Sequence, residues 1–395
     1  MRSVLDRFLS YLPYAGKTVK DPALAHLLAD ELRALGLRDV REDANHYVYG
    51  WLPAAKGCEN APRLGFLAHT DTAADLPAGA VHPVLHENYD GRDVQLGDRV
   101  LKTMDFPDLP GLRGRTLITG DGTTLLGSDD RAGVAEILTM LETVIEKDLP
   151  HGRLAVCFSA DEEEGSPGIE GFDVPAFGCD YAFTVDGGEE GELEFENFNA
   201  ATADFTVRGF SVHPGSSKDT MINAALVAME INSMLPAGDI PRHTQGYEGF
   251  YHLTDMSGNV DEAKLSYIVR DHDAAKFEAR LETLSHITEL VNQRWGEGTV
   301  TLTITRSYRN MAEKIRPCFH IVEKARAAIR DAGCEPHISP IRGGTDGARL
   351  SWMGLPCPNL GTGGYAFHGP YEHCTAEGLE KAAEILVRLV GKFAE

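Results

Sequence analysis

Three short apolar runs in this chain each surface into acids or into an acid beside a histidine. Leu64-Gly65-Phe66-Leu67-Ala68 leads into His69-Thr70-Asp71. Arg153-Leu154-Ala155-Val156-Cys157 leads into Phe158-Ser159-Ala160-Asp161-Glu162-Glu163-Glu164-Gly165, and Tyr181-Ala182-Phe183-Thr184-Val185 into Asp186-Gly187-Gly188. Each run has the length and β-rich character of a buried strand. Strands of this kind alternating with helices form a largely parallel sheet, and open sheets bind ligands at the carboxyl ends of their strands. The polar ends therefore converge on one rim. Four consecutive acids at a strand end repel one another unless a cation neutralises them. Alone, that stretch reads as a solvated acidic loop; with two similar strand ends beside it, it reads as part of a site.

Helical patterns fill the space between the strands. Residues 1 to about 40 show two amphipathic stretches, the second carried by Leu24, Leu27, Leu28, Leu32 and Leu35 and stopped at Gly36. Val134, Ile137, Leu138, Leu141 and Ile145 give another helix one apolar face. Between Thr72 and Gly122 the pattern weakens into short segments punctuated by Gly, Pro and Asp, as loops and hairpins are. With 395 residues the chain exceeds one ordinary core, so two domains are expected. Near residue 198 the strands begin to alternate, in 203–207, 264–269 and 299–305, around helical stretches Met221 to Leu235 and Asp273 to Trp295. That β-α-β-β-α-β rhythm predicts a separate α+β split unit. The α/β pattern returns with helices from Phe319 to Ala332 and from Thr375 to Phe393. The expected architecture is an α/β domain over 1–197 and 312–395, with a mostly parallel sheet flanked by helices. An inserted α+β lid domain spans 198–311.

Composition narrows the functional classes. A formal net charge of -23 opposes binding to nucleic acid or an anionic membrane. No apolar run approaches the length of a membrane span, and the N-terminal stretch lacks a signal peptide's uninterrupted apolar region. The seven Cys are scattered without a C-x-x-C pair and read as reduced thiols, which places the expected protein in the cytoplasm. No G-x-S-x-G, H-E-x-x-H or P-loop is present.

The polar residues suit metal. His69 and Asp71, two apart at a strand end, point the same way, so Asp71 is placed to hold the ring of a ligating His69. Asp129 lies in a Gly-bordered turn, Gly127-Ser128-Asp129-Asp130-Arg131-Ala132-Gly133, where a carboxylate is as readily a helix cap as a bridge between two ions. Glu163 and Asp186 add carboxylates, and Gly363 to His373 supplies a further histidine, His368 or His373. Histidine with carboxylates suits zinc, with cobalt or manganese as substitutes.

The ordered set H-x-D, G-x-D-D, D-E-E, D-G-G and H-x-x-x-E resembles the co-catalytic dizinc exopeptidases that include carboxypeptidase G, aminoacylase and succinyl-diaminopimelate desuccinylase. The likeness continues through Val212-His213-Pro214-Gly215, Tyr267-Ile268-Val269-Arg270-Asp271 and Pro340-Ile341-Arg342-Gly343-Gly344-Thr345-Asp346-Gly347, so it spans nearly the whole chain. Within that family the chain resembles the branch that removes the N-terminal residue from tripeptides. Two departures stand out: Glu164, where the family usually has a small or apolar residue, and the shortened region around 75–115. The resemblance implies two zinc ions, one held by His69, Asp129 and Asp186, the other by Asp129, Glu163 and His368. It makes Glu162 the general base and Asp71 the partner of His69, ranks His373 below His368, and implies a cis peptide between Asp129 and Asp130. His213, Asn223, Arg270 and Arg342 are implied to bind a small peptide substrate, with Arg342 taking its carboxylate. A deacylase of N-acyl amino acids, using the same metals, is the alternative; a binding protein that has lost catalysis is a third reading, opposed by the intact ligand set. The inserted domain mediates dimers in several relatives, which leaves a homodimer open.

Overall fold

The computed structural model describes residues 2–14, 22–77 and 79–395; residue 1, residues 15–21 and residue 78 lie outside the described residues. The chain divides into two compact units. One comprises Met1–Phe195, Met311–Ser339 and Thr345–Glu395, and the other Glu196–Asn310 with Pro340–Gly344.

An eight-stranded sheet forms the first unit. Its order is Arg38–Glu42, Val48–Leu52, Leu64–His69 reached through Leu154–Ser159, then Tyr181–Gly187, Asn359–Gly361, Glu192–Glu194 and His337–Ile338. The three apolar runs are its centre, and Leu64–His69 pairs in parallel with both of the others. Alternation explains their continuous hydrophobicity. Phe66 and Phe183 stack on one face, where Phe393 of the closing helix Ala376–Ala394 meets Phe183. Leu67, Ala155 and Ala182 pack on the other with Phe172, Phe177 and Leu350. Because both faces are covered, both sets of side chains must be apolar.

The parallel register brings the site together. His69 lies opposite Ser159, the residue from which the acidic loop departs. Helix Ser128–Glu146 packs on strand Leu64–His69 and against the closing helix. Gly133 permits its close approach to the neighbouring strand, since a Cβ there would sit 1.9 Å from the Val185 carbonyl oxygen. Any larger residue would push Asp129 away from Asp186.

The weakly patterned region contains short strands. Val84–His86 and Leu117–Thr119 join Gly364–Tyr365 and His373–Thr375 in a second sheet, and Val94–Leu96 pairs with Arg99–Leu101. No described helix is long and apolar enough to cross a membrane.

The second unit is a four-stranded antiparallel sheet in the order Phe250–Gly258, Glu262–Asp271, Asn199–Arg208, Val300–Tyr308, with helices Ala224–Ser233 and Ala274–Trp295. Its strands alternate because only one face is covered: Phe205, Leu265 and Val269 are buried with Val227 and Leu284 of the helices. In the linear reading residues 340–344 fall on the other side of the boundary. The structure groups them with this unit through the His272 ring and the Ile341 carbonyl, 3.0 Å apart.

Candidate metal centre

Five side chains meet on the rim of the first unit. His69, Asp129 and Asp186 form one group and Asp129, Glu163 and His368 another, with the ligand atoms of each within 4.8 Å of one another. Asp129 belongs to both: its Oδ1 lies 2.8 Å from His69 Nε2 and its Oδ2 3.1 Å from His368 Nε2. Asp186 Oδ1 is 3.3 Å from His69 Nε2, and Glu163 Oε1 is 3.1 Å from His368 Nε2. The Asp129–Asp130 peptide is cis.

Each ligand is aimed by a neighbour. Asp71 Oδ1 lies 3.3 Å from His69 Nδ1. The same carboxylate accepts the backbone N–H of Glu162 at 3.2 Å and of Glu163 at 3.0 Å. One acid therefore orients a histidine and fixes the loop that carries Glu162 and Glu163. Asp130 accepts the His69 N–H at 3.0 Å and the Gly133 N–H at 3.1 Å. Glu372 holds the Asp129 turn, accepting from Gly127 N at 2.9 Å, Ser128 Oγ at 2.7 Å and Asp129 N at 3.0 Å. Its role escapes a reading by spacing; the only signal is its place in H-x-x-x-E. His373 is turned elsewhere: it is fully buried, with Nε2 2.7 Å from Asp108 and Nδ1 2.8 Å from the Tyr371 carbonyl oxygen, and joins neither ligand group.

The acidic stretch divides its labour. Asp161 is tied to Tyr47 Oη at 2.5 Å and the Gly168 N–H at 2.8 Å, so it anchors the loop. Glu163 reaches His368, Glu164 is exposed, and Glu162 is half-buried within electrostatic reach of Asp186, His69 and Asp129.

The electrostatics are those of a site built for cations. Burial and then the Asp186 charge hold the Glu162 carboxyl well above its ordinary range. Burial, with Asp129 adding to it, pushes Asp186 up to about 7 against the pull of His69. Hydrogen bonds to Asp129 and Glu163 raise His368 to about 11. Burial would raise Asp129 too, but the His368 and His69 hydrogen bonds outweigh it and hold the carboxyl below its usual range. Protons thus gather where the carboxylates crowd, and metal ions would replace them. Two imidazoles with three carboxylates, divided around a shared Asp129, fit a pair of borderline divalent ions.

The expected substrate residues all belong to the second unit. His213 is exposed and its Nδ1 accepts the Gly215 N–H at 3.1 Å. Asn223 caps helix Ala224–Ser233 by accepting from Ala225 N and Leu226 N. Arg270 donates to the Ala201 and Val269 carbonyls and lies over the Tyr308 ring. Arg342 donates Nη1 to the Gly246 and Glu248 carbonyls and Nη2 to Thr244 Oγ1, with its guanidinium 5.0 Å from the Phe198 ring centre. Its remaining N–H donors have no acceptor among the described residues.

A mixed sheet whose parallel centre carries a rim of histidines and carboxylates defines a metal-binding hydrolase. The model of Peptidase family M20/M25/M40 matches residues 125–392, and the chain belongs to that family and is a peptidase. It is similar to Peptidase T of Alkaliphilus oremlandii (strain OhILAs), 46% identical over 410 residues and covering 100% of both chains. Among solved structures it resembles aminopeptidase PepT from Bacillus cereus ATCC 10987, with a TM-score of 0.81, 22% identity and 99% and 98% of the two chains covered. It also resembles a tripeptidase from Staphylococcus aureus subsp. aureus mu50, with a TM-score of 0.82, 21% identity and the same coverage. At those identities the two structures speak for the fold.

Proposed function

We propose that this chain is a cytoplasmic zinc aminopeptidase that releases the N-terminal residue from tripeptides. The carrying observation is Asp129 presenting one oxygen to each of two histidines, beside a loop on which Glu162 and Glu163 diverge. The similarity to Peptidase T supports the peptide substrate. His69, Asp129 and Asp186 would hold one ion and Asp129, Glu163 and His368 the other. When bound, the ions supply Lewis acidity to the scissile carbonyl and the attacking water.

The chain's own groups supply the proton traffic. Glu162, whose proton affinity is raised by burial and by Asp186, takes a proton from the water and returns it to the leaving amine. Asp71 keeps Glu162 and Glu163 in fixed relation by holding both backbone N–H groups. In the inserted lid, Arg342 is oriented by three acceptors and keeps donors for a substrate carboxylate, with His213, Asn223 and Arg270 as its companions.

Glu162→Gln tests the centre of this reading. The amide keeps the shape and cannot accept the proton, so turnover falls by orders of magnitude at near-normal metal content. Turnover is measured on di-, tri- and tetrapeptides and on N-acyl amino acids, with tripeptides preferred. Near-wild-type turnover in the variant removes Glu162 as the base, and preference for N-acyl amino acids makes the enzyme a deacylase.

A further inference from the structure

The acid of the Arg342-Gly343-Gly344-Thr345-Asp346-Gly347 motif has so far been given no work. Asp346 opens the short helix Asp346–Trp352 and is 3% exposed. Its Oδ2 accepts from Ser159 Oγ at 2.7 Å. Ser159 is the last residue of its strand and Ser166 the first beyond Gly165, so the two residues mark the two ends of the acidic loop. One turn further along the same helix, Arg349 donates Nη2 to the Gly165 carbonyl at 2.6 Å. The loop is pinched at its base, where Ser166 N–H reaches the Asp161 carbonyl at 2.8 Å.

Two features set this arrangement apart from ordinary packing. Ser166 sits at a φ of 52°, a left-handed conformation that a serine keeps only when something holds it. Asp346 Oδ1 is buried with no hydrogen-bond partner among the described residues, a cost that an apolar residue at the same place would avoid. The influence of Ser159 also extends beyond the loop. Its carbonyl accepts from Thr70 N at 2.9 Å and from Thr70 Oγ1 at 2.8 Å, fixing the residue between His69 and Asp71. Asp71 in turn holds the Glu162 and Glu163 N–H groups. Hydrogen bonds thus link Asp346 to Ser159 and Ser159 to Thr70, whose chain neighbour Asp71 grips the loop.

We infer that Asp346 is a positioning residue for Glu162, holding the start of the loop through Ser159, while Arg349 of the same helix holds its end at Gly165, so that the base stands at its working distance. The inference rests on the general-base reading of Glu162. An error of about 1 Å in such a placement costs on the order of 100-fold in rate.

Asp346→Ala and Ser159→Ala are each assayed in the full-length metal-replete enzyme on a tripeptide, alone and combined with Glu162→Gln. Each alone is expected to lower kcat by about 10- to 100-fold while KM and bound metal stay at wild-type values. In the Glu162→Gln background the further loss is expected to stay below about 2-fold, because a residue acting through the base has nothing left to position. If Asp346→Ala does not fold, Ser159→Ala, which removes only one hydroxyl, carries the test. Persistence of the full factor in the Glu162→Gln background overturns the inference, as does a loss confined to KM or to metal content. Wild-type turnover in Glu162→Gln alone overturns the general-base reading and this inference with it.

Discussion

Replacing Glu372 by Ala removes the acceptor that shapes the Asp129 turn. Three donors lose their partner: Gly127 N–H, Ser128 Oγ–H and Asp129 N–H. The site is closed to water, with Glu372 2% exposed and Ser128 fully buried. The serine hydroxyl rotates and can find another acceptor, but the two backbone N–H groups cannot. At roughly 1–3 kcal/mol for each stranded donor, the variant should lose about 4 kcal/mol of stability. Domains are stable by about 5–15 kcal/mol, so it should still fold.

The larger effect falls on metal. Gly127, at a φ of 77°, turns the chain into Asp129, which, two residues on, is the one side chain common to both ligand groups. Loss of the Glu372 clamp should weaken both positions together, by about 10- to 100-fold each, as loss of groups that orient metal ligands does. Stability is read by denaturant unfolding of the metal-free protein, and affinity by titrating zinc against a competing chelator. Glu372→Gln keeps one accepting oxygen and should fall between the two. Wild-type zinc affinity at both positions, alongside a full loss of stability, would refute the link from Glu372 to Asp129. Unchanged stability would refute the hydrogen-bond accounting itself.

Further outcomes concern charge in the core and the length of the substrate. Glu136 is fully buried with neither oxygen hydrogen-bonded to any described residue, and burial followed by the Glu190 charge holds its carboxyl well above the ordinary 4.5. The folded state therefore binds a proton that the unfolded chain gives up, so stability falls as pH rises above the unfolded value until the folded group itself ionises. Glu136→Gln should remove up to ~1.4 kcal/mol per pH unit of that decline, read by denaturation between about pH 5 and 8; identical pH slopes would exclude it. If Arg342 takes the C-terminal carboxylate, amidating a tripeptide lowers kcat/KM sharply in the wild type, and Arg342→Ala loses most of the discrimination. Equal kcat/KM for free-acid and amidated tripeptides in the wild type removes Arg342 as the partner of the C-terminal carboxylate and leaves the metal chemistry untouched.

What was legible in the sequence follows from how much burial each residue carries. Strands Leu64–His69 and Leu154–Ser159 are buried along their whole length, so their apolar runs admit few other readings. Arg38–Glu42 sits at the sheet edge with Arg38, Asp39 and Arg41 exposed, and Glu192–Glu194 is a three-residue strand with an acid at each end; neither has a pattern to detect. Phe250–Gly258 is exposed over most of its length and hides for the same reason. In the centre, residue types at strand ends announce the chemistry, because few other uses gather histidines and acids there. The supports stay silent. Glu372 reaches backbone groups about 245 residues away in the chain, and Asp346 reaches a serine 187 away. A carboxylate whose partners are backbone N–H groups or hydroxyls leaves no complementary charge in the sequence to betray it. Ligands are therefore read from composition at a strand end, whereas the residues that aim them are read only from hydrogen bonds, and the two kinds of evidence meet at Asp71, which touches both a histidine and the loop.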